Sequence, residues 1–140
     1  MDAIVCGVDG SEHSETALVF AAHEAALHGA RLDVICAWEM PLMIAPVGVV
    51  YPTEAFGNLS ENAEDIVRAA VARVAELHPE VTCEGKAVEG QAASVLLQAA
   101  EHAHMIVVGS RGRGGFASLL LGSVTQQVVH HATCAVVVVR

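Results

Sequence analysis

The chain has 140 residues, 54% of them hydrophobic and only 4% aromatic, with a formal net charge of −9 at pH 7. That length suits one ordinary domain with a proper core of Val, Ala, Leu and Ile. No apolar run reaches the roughly 18 residues of a membrane span, and the acidic balance makes a nucleic-acid backbone a poor partner.

The N-terminus, "MDAIVCGVDGS", has no basic region and does not read as a secretory signal, so the expected location is the cytoplasm. The four cysteines (Cys6, Cys36, Cys83, Cys134) are far apart, with no C-x-x-C spacing. They read as buried thiols of a reducing compartment. All sixteen carboxylates fall in residues 1–101, alongside four basic residues. Residues 102–140 carry three arginines and no carboxylate, which leaves room for a small anion.

In chain order, Ala3–Val8 is an apolar strand. A helix follows, with its apolar stripe at Ala17, Leu18, Ala21, Ala22 and Ala25 and its stop at Gly29. Leu32–Trp38 is a second strand. Glu39–Leu59 is a connection of about twenty residues with three prolines, either a functional cover or a simple insertion. Ser60 is a plausible N-cap for a helix stopped by Pro79. Glu80–Glu89 alternates and carries charge, as an edge strand would. Gln91–Ala103 is a helix, Met105–Ser110 a strand, Ser123–Ala132 a helix, and Ala135–Arg140 a final apolar strand. Alternating β and α units with fully apolar strands predict a single α/β domain, residues 1–140, with helices on both faces of the sheet.

The stretch Gly109–Val124, "GSRGRGGFASLLLGSV", packs five glycines into its first fourteen residues. A glycine-rich turn after a strand lets backbone N–H groups converge on one point, and a following helix N-terminus adds more. Ser123 reads as that helix's N-cap, with Gln126 at capping-box spacing. Gly122 leaves room for a ligand to approach. A P-loop is excluded because Gly85-Lys86 is followed by Ala87. Gly112-x-Gly114-x-x-Ala117 imitates a dinucleotide fingerprint, but it follows the fourth strand and no acidic residue lies beyond Glu101.

What remains is G-x2-G-x9-G-[ST] at Gly109, Gly112, Gly122 and Ser123. With "GVDGS" after strand one and "VVGSRGRGG" after strand four, the chain resembles the ATP-binding branch of the universal stress protein family along its whole length. It departs at Ala135, where many relatives have proline. The resemblance implies a three-layer α/β/α sandwich of the adenine-nucleotide alpha-hydrolase-like type, with a five-stranded parallel sheet ordered 3-2-1-4-5. Its ligand site would lie between strands one and four, at the topological switch.

The resemblance also implies residue roles. Asp9 contacts the nucleoside, unless it only caps the first helix. Gly7 and Val8 lie beneath the nucleoside. Trp38 reads the adenine through its main chain, unless its indole packs under the long connection. The amides of Gly109, Ser110, Arg111, Gly112, Arg113, Gly114 and Gly115, with those of Ser123 and Val124, bind phosphates. Arg111 and Arg113 either add charge-assisted contacts or remain solvated. Mg²⁺ rides on the phosphates, with no metal-binding or catalytic side chain assigned. His102/His104 and His130/His131 do not share helix faces as ligands would. Ser11, Ser14 and Thr16 are not distinguishable from ordinary helix-start residues.

The resemblance further implies that the last strand, residues 135–140, pairs across a two-fold axis to form a homodimer. The expected function is nucleotide-dependent stress signalling with at most slow ATP hydrolysis. The alternatives are a nucleotide-free interaction module and a weak ATPase or nucleotidyl-transfer enzyme.

Overall fold

The computed structural model describes residues 2–41, 43–50, 58–112 and 121–140. In chain order the elements are β1 (Ala3–Gly7), α1 (Glu12–His28), β2 (Arg31–Trp38), β3 (Met43–Ala45), β4 (Gly48–Val50), α2 (Leu59–Leu77), β5 (Cys83–Glu89), α3 (Ala92–Ala99), β6 (Met105–Gly109), α4 (Ser123–His131) and β7 (Ala135–Val139).

Five parallel strands form one sheet in the order β5-β2-β1-β6-β7. The numbering differs from the expected 3-2-1-4-5 because β3 and β4 form an antiparallel hairpin that was not anticipated. That hairpin lies in the long connection, where Ile44 and Val47 are 90% and 88% exposed.

Alternation along the strands separates two cores. Ile4, Cys6, Leu32, Val34 and Cys36 face α1 and α2, against Ala17, Leu18, Ala21, Val67 and Val74. Val5, Ile35, Ile106 and Val108 face the other way, against Leu96 of α3 and Val128 of α4. The three layers follow directly from two-faced apolar strands.

Local signals set most boundaries. Ser11 caps α1, its hydroxyl accepting from the Ser14 N–H at 3.2 Å. Gly29 ends that helix in the left-handed conformation, φ 61°. The N-cap of α2 is Asn58, not Ser60, which falls in the first turn, and no side chain caps that end. The third helix stops at Ala99. At that end the Ala100 N–H is bonded back to Leu96 and Gln98.

Candidate functional site

Adjacent strands β1 and β6 send their chains to opposite faces, β1 into α1 and β6 towards α4. Such divergence opens a crevice outside the carboxyl ends of the strands. A cavity of about 190 Å³ lies there.

Gly7, Val8 and Asp9 line it from the end of β1, and Ile35 and Ala37 from β2. The third helix supplies Ala92 and Leu96. The turn after β6 contributes Gly109, Arg111 and Gly112, and α4 contributes Gly122, Ser123, Val124 and Thr125.

The glycines differ in what they permit. A Cβ on Gly7 would meet Leu96 Cδ1 at 2.8 Å, so this glycine admits the Leu96 side chain to the cavity wall. A Cβ on Gly109 would lie 2.8 Å from the His13 carbonyl carbon and oxygen, so this glycine lets the end of β6 touch the backbone of α1. A Cβ on Gly112 would stand 2.5 Å from Asp9 Oδ2. On Gly122 the nearest atom would be Arg111 Cα at 3.4 Å, an almost ordinary contact.

Asp9 has a local task and a cavity-facing position together. Its Oδ1 accepts from the Ser11 N–H at 2.9 Å, and its own N–H donates to Ser14 Oγ at 3.3 Å. This fixes the turn before α1, whose N-cap is Ser11 and not Asp9. The other carboxylate oxygen is turned to Gly112.

The second Gly-Ser is corrected in detail. The N-cap of α4 is Gly122, Ser123 is the first helical residue, and no side chain caps this end. The first intrahelical bond runs from the Gln126 N–H to the Gly122 carbonyl, 3.0 Å. The amides of Ser123, Val124 and Thr125 therefore precede the helical ladder and stand at the cavity with the positive end of the helix dipole. Thr125 Oγ1 donates to the Gly109 carbonyl at 2.8 Å, holding the helix start against the end of β6.

Two expected residues lie outside the lining. Ser110 is buried, and its groups are engaged elsewhere. Its N–H donates to the Val139 carbonyl at 2.8 Å, its carbonyl accepts from the Gly122 N–H at 2.7 Å, and its hydroxyl is 3.4 Å from His13 Nδ1. The Trp38 carbonyl accepts from the Gly90 N–H at 2.8 Å, and the indole packs against the α1/α2 core. Its neighbour Ala37 faces the cavity instead. Arg113, Gly114 and Gly115 fall outside the described residues.

Sequence reasoning missed Ser14, Ile35, Ala37, Ala92, Leu96, Val108 and Thr125 in the lining. The i, i+4 pair Ala92/Leu96 and the period-2 pair Ile35/Ala37 were the available signals.

Asp9 and Arg111 are the titratable side chains of the lining. The thiols belong elsewhere. Burial pushes Cys6 up to about 12, with Cys83 adding to the shift. Burial, then Asp33 and Glu84, push Cys83 up to about 11. All four cysteines are free thiols, and only Cys6 and Cys36 are fully buried. Among the described residues no group of three or more His, Cys, Asp or Glu could hold a metal ion.

A parallel α/β sheet with a glycine-lined, amide-rich cavity at its switch point defines an α/β domain with a candidate small-ligand site. The comparisons narrow the class, because the sequence profile of the universal stress protein family matches residues 1–140, and the chain belongs to that family. It is 38% identical over 140 residues to a universal stress protein of Thermus aquaticus, covering 98% of this chain and 97% of that one. It is 35% identical over 137 residues to one from Mycolicibacterium smegmatis, covering 98% of this chain but 45% of the relative. The chain thus spans about half the length of that mycobacterial relative.

Among solved structures, the universal stress protein UspA from Lactobacillus plantarum superposes with a TM-score of 0.84 at 23% identity, over 99% of this chain and 97% of that one. A universal stress protein in complex with cAMP gives 0.74 at 26% identity, over 99% and 97%.

Proposed function

We propose that the cavity binds an adenine nucleotide, ATP by preference, and that the protein is a nucleotide-dependent stress-signalling protein. The observation that carries this is the pairing of two chemistries in one cavity. The uncapped amides of α4 and the Gly109–Gly112 turn suit phosphates, and the apolar wall of Ile35, Ala37, Leu96 and Val108 suits a planar base. The cAMP complex of the relative at 26% identity supports the nucleotide class.

In this reading Gly7, Val8 and Asp9 lie beneath the nucleoside, with Asp9 accepting from ribose hydroxyls. Arg111 and Arg113 reinforce the phosphates together with Gly114 and Gly115. Mg²⁺ would be carried on the phosphates, with Asp9 as the carboxylate of the lining nearest to hand. No general base is assigned, so hydrolysis would be slow at most. The protein would work in the cytoplasm as a homodimer through β7, an apolar edge strand whose residues are half-buried or exposed.

Titration calorimetry with ATP, ADP, AMP and cAMP, with and without Mg²⁺, tests the reading. One saturable site per chain is expected, weakened at least about tenfold by Gly122→Asp, which sets a carboxylate where the phosphates would lie. No heat from any of the four at millimolar concentration would overturn it. Calorimetry is preferable to Trp38 fluorescence because that indole lies on the other side of β2. A monomer in sedimentation at micromolar concentration would remove the dimer from the proposal.

A further inference from the structure

The turn that leaves β6 is fastened to its surroundings by contacts within the chain. Ser110 is only 3% exposed. Its N–H donates to the Val139 carbonyl at 2.8 Å, and its carbonyl accepts from the Gly122 N–H at 2.7 Å. From α4, Thr125 Oγ1 donates to the Gly109 carbonyl at 2.8 Å. These bonds tie the turn to β7 and to the start of α4.

The opposite side of the turn belongs to α1, and there both contacts go to one residue. Ser110 Oγ lies 3.4 Å from His13 Nδ1, its hydrogen-bond partner among the described residues. Gly109 presses on the same histidine, since an added Cβ would stand 2.8 Å from the His13 carbonyl carbon and 3.0 Å from its Cβ. One contact is polar and made by side chains, while the other is steric and made by the backbone. At 3.4 Å the hydrogen bond is long. Without it, a buried hydroxyl would be left unsatisfied, which costs more than a long bond does. Among the described residues, no buried side-chain nitrogen or oxygen is in that condition.

His13 is half-buried in the first turn of α1 and lies outside the cavity lining. What it holds leads into the lining. Arg111 and Gly112 follow Ser110 directly, and Gly122, Ser123, Val124 and Thr125 stand across from them. Backbone N–H groups hold an anion when they converge on one point, so small displacements of the turn matter there. A shift of Ser110 would move Arg111 and Gly112 and, through the Gly122 N–H, the start of α4. The apolar wall of Ile35, Ala37 and Leu96 stands on β2 and α3 instead.

We propose that His13 is a positioning residue for the phosphate half of the cavity, acting through the Ser110 hydroxyl. The proposal rests on the nucleotide reading above and adds to it a residue that touches no ligand. Its signature is a loss confined to ligands that carry phosphates.

Titration calorimetry with ATP and with adenosine tests it on Ser110→Ala, His13→Ala, their double variant, His13→Asn and His13→Gln, with circular dichroism confirming each fold. Asparagine carries its polar atoms on Cγ, as Nδ1 is carried, whereas glutamine sets them one bond further out. ATP affinity should fall about threefold to tenfold in each alanine variant, the range one hydrogen bond supplies. The double variant should bind ATP no more weakly than the weaker single one, because both remove the same contact. His13→Asn should stay within about twofold of the wild type, and His13→Gln should match His13→Ala. Adenosine affinity should change by less than about twofold in all five.

Unchanged ATP affinity in the alanine variants would overturn the proposal. So would equal losses for ATP and adenosine, additive losses in the double variant, or no rescue by asparagine. Each of these leaves ATP binding by the wild type in place, and with it the nucleotide reading. A wild-type chain that binds no ATP would overturn both together.

Discussion

Replacing Gly109 by alanine tests whether the turn after β6 is shaped by the chain itself. The new Cβ would lie 2.8 Å from two backbone atoms of His13 and 3.0 Å from its Cβ. None of these is the tip of a flexible side chain. Relief requires β6 and the start of α1 to part by about 0.6 Å, and β6 is held between β1 and β7. Overpacking of this kind costs about 1–3 kcal/mol. Gly109 is not among the positive-φ glycines, so alanine also reduces unfolded-state entropy, returning about 0.4–1 kcal/mol. The net expectation is a loss of about 1–2 kcal/mol. Gly122→Ala is the control, because its Cβ would find only contacts of 3.4 Å and longer. It should be neutral or slightly stabilising. Urea unfolding followed by circular dichroism gives both free energies. Equal midpoints for the two variants would show that β6 and α1 can separate freely, and would refute the close-packing argument.

Gly122→Ala carries a second expectation, for it should lower ATP affinity in calorimetry without lowering the urea midpoint. Thr125→Val removes the buried hydrogen bond to the Gly109 carbonyl and should cost about 1–3 kcal/mol in the same unfolding assay. Gly90 has φ 146°, a conformation in which a Cβ is strained, so Gly90→Ala should destabilise by about 1–3 kcal/mol and loosen the entry to α3. Cys6 keeps its proton in the folded state up to about pH 12, against a reference value of 9.0. Its contribution to stability is complete below pH 9.0 and is lost as pH rises from there to about 12. Over that window stability should fall by about 1.4 kcal/mol per pH unit on this account, and Cys6→Ala should flatten the slope of the urea midpoint against pH.

Most of the sheet was legible because apolar strands with a period of two leave little freedom. Ile4 and Cys6 against Val5 already assign two faces, and the helices' stepped alanines supply their covers. The hairpin at Met43–Val50 was not legible, since Pro46 interrupts an uncharged run too short to declare a strand on either side. The cap of α4 was misplaced by one residue because Ser123 has the preferred side chain for a cap while Gly122 has the required extended backbone. Trp38, which lies outside the cavity lining, is the more instructive case. Period-2 alternation sends Ile35 and Ala37 to one face and Cys36 and Trp38 to the other, so the neighbour of the expected residue reaches the cavity. Leu96 could not be read in this way, because its place in the wall depends on Gly7, eighty-nine residues earlier, leaving a gap for it.

The spacing G-x2-G-x9-G combines requirements that a ligand alone would not impose. Gly109 admits the backbone of His13, and Gly112 admits the carboxylate of Asp9, so the first two glycines join the turn to the start of α1. Gly122 has no comparable neighbour, and its extended backbone starts α4. Ser110 connects the two, its carbonyl accepting from the Gly122 N–H while its N–H is held by Val139 of β7. Two helix N-termini from opposite faces of the sheet are thereby drawn to one crevice by backbone contacts made without any ligand. The cost of converging two positive dipole ends is relieved by Asp9 at one of them, through its bond to the Ser11 N–H. The other, at α4, has no side-chain cap, and an anion in the cavity would relieve it in the same way.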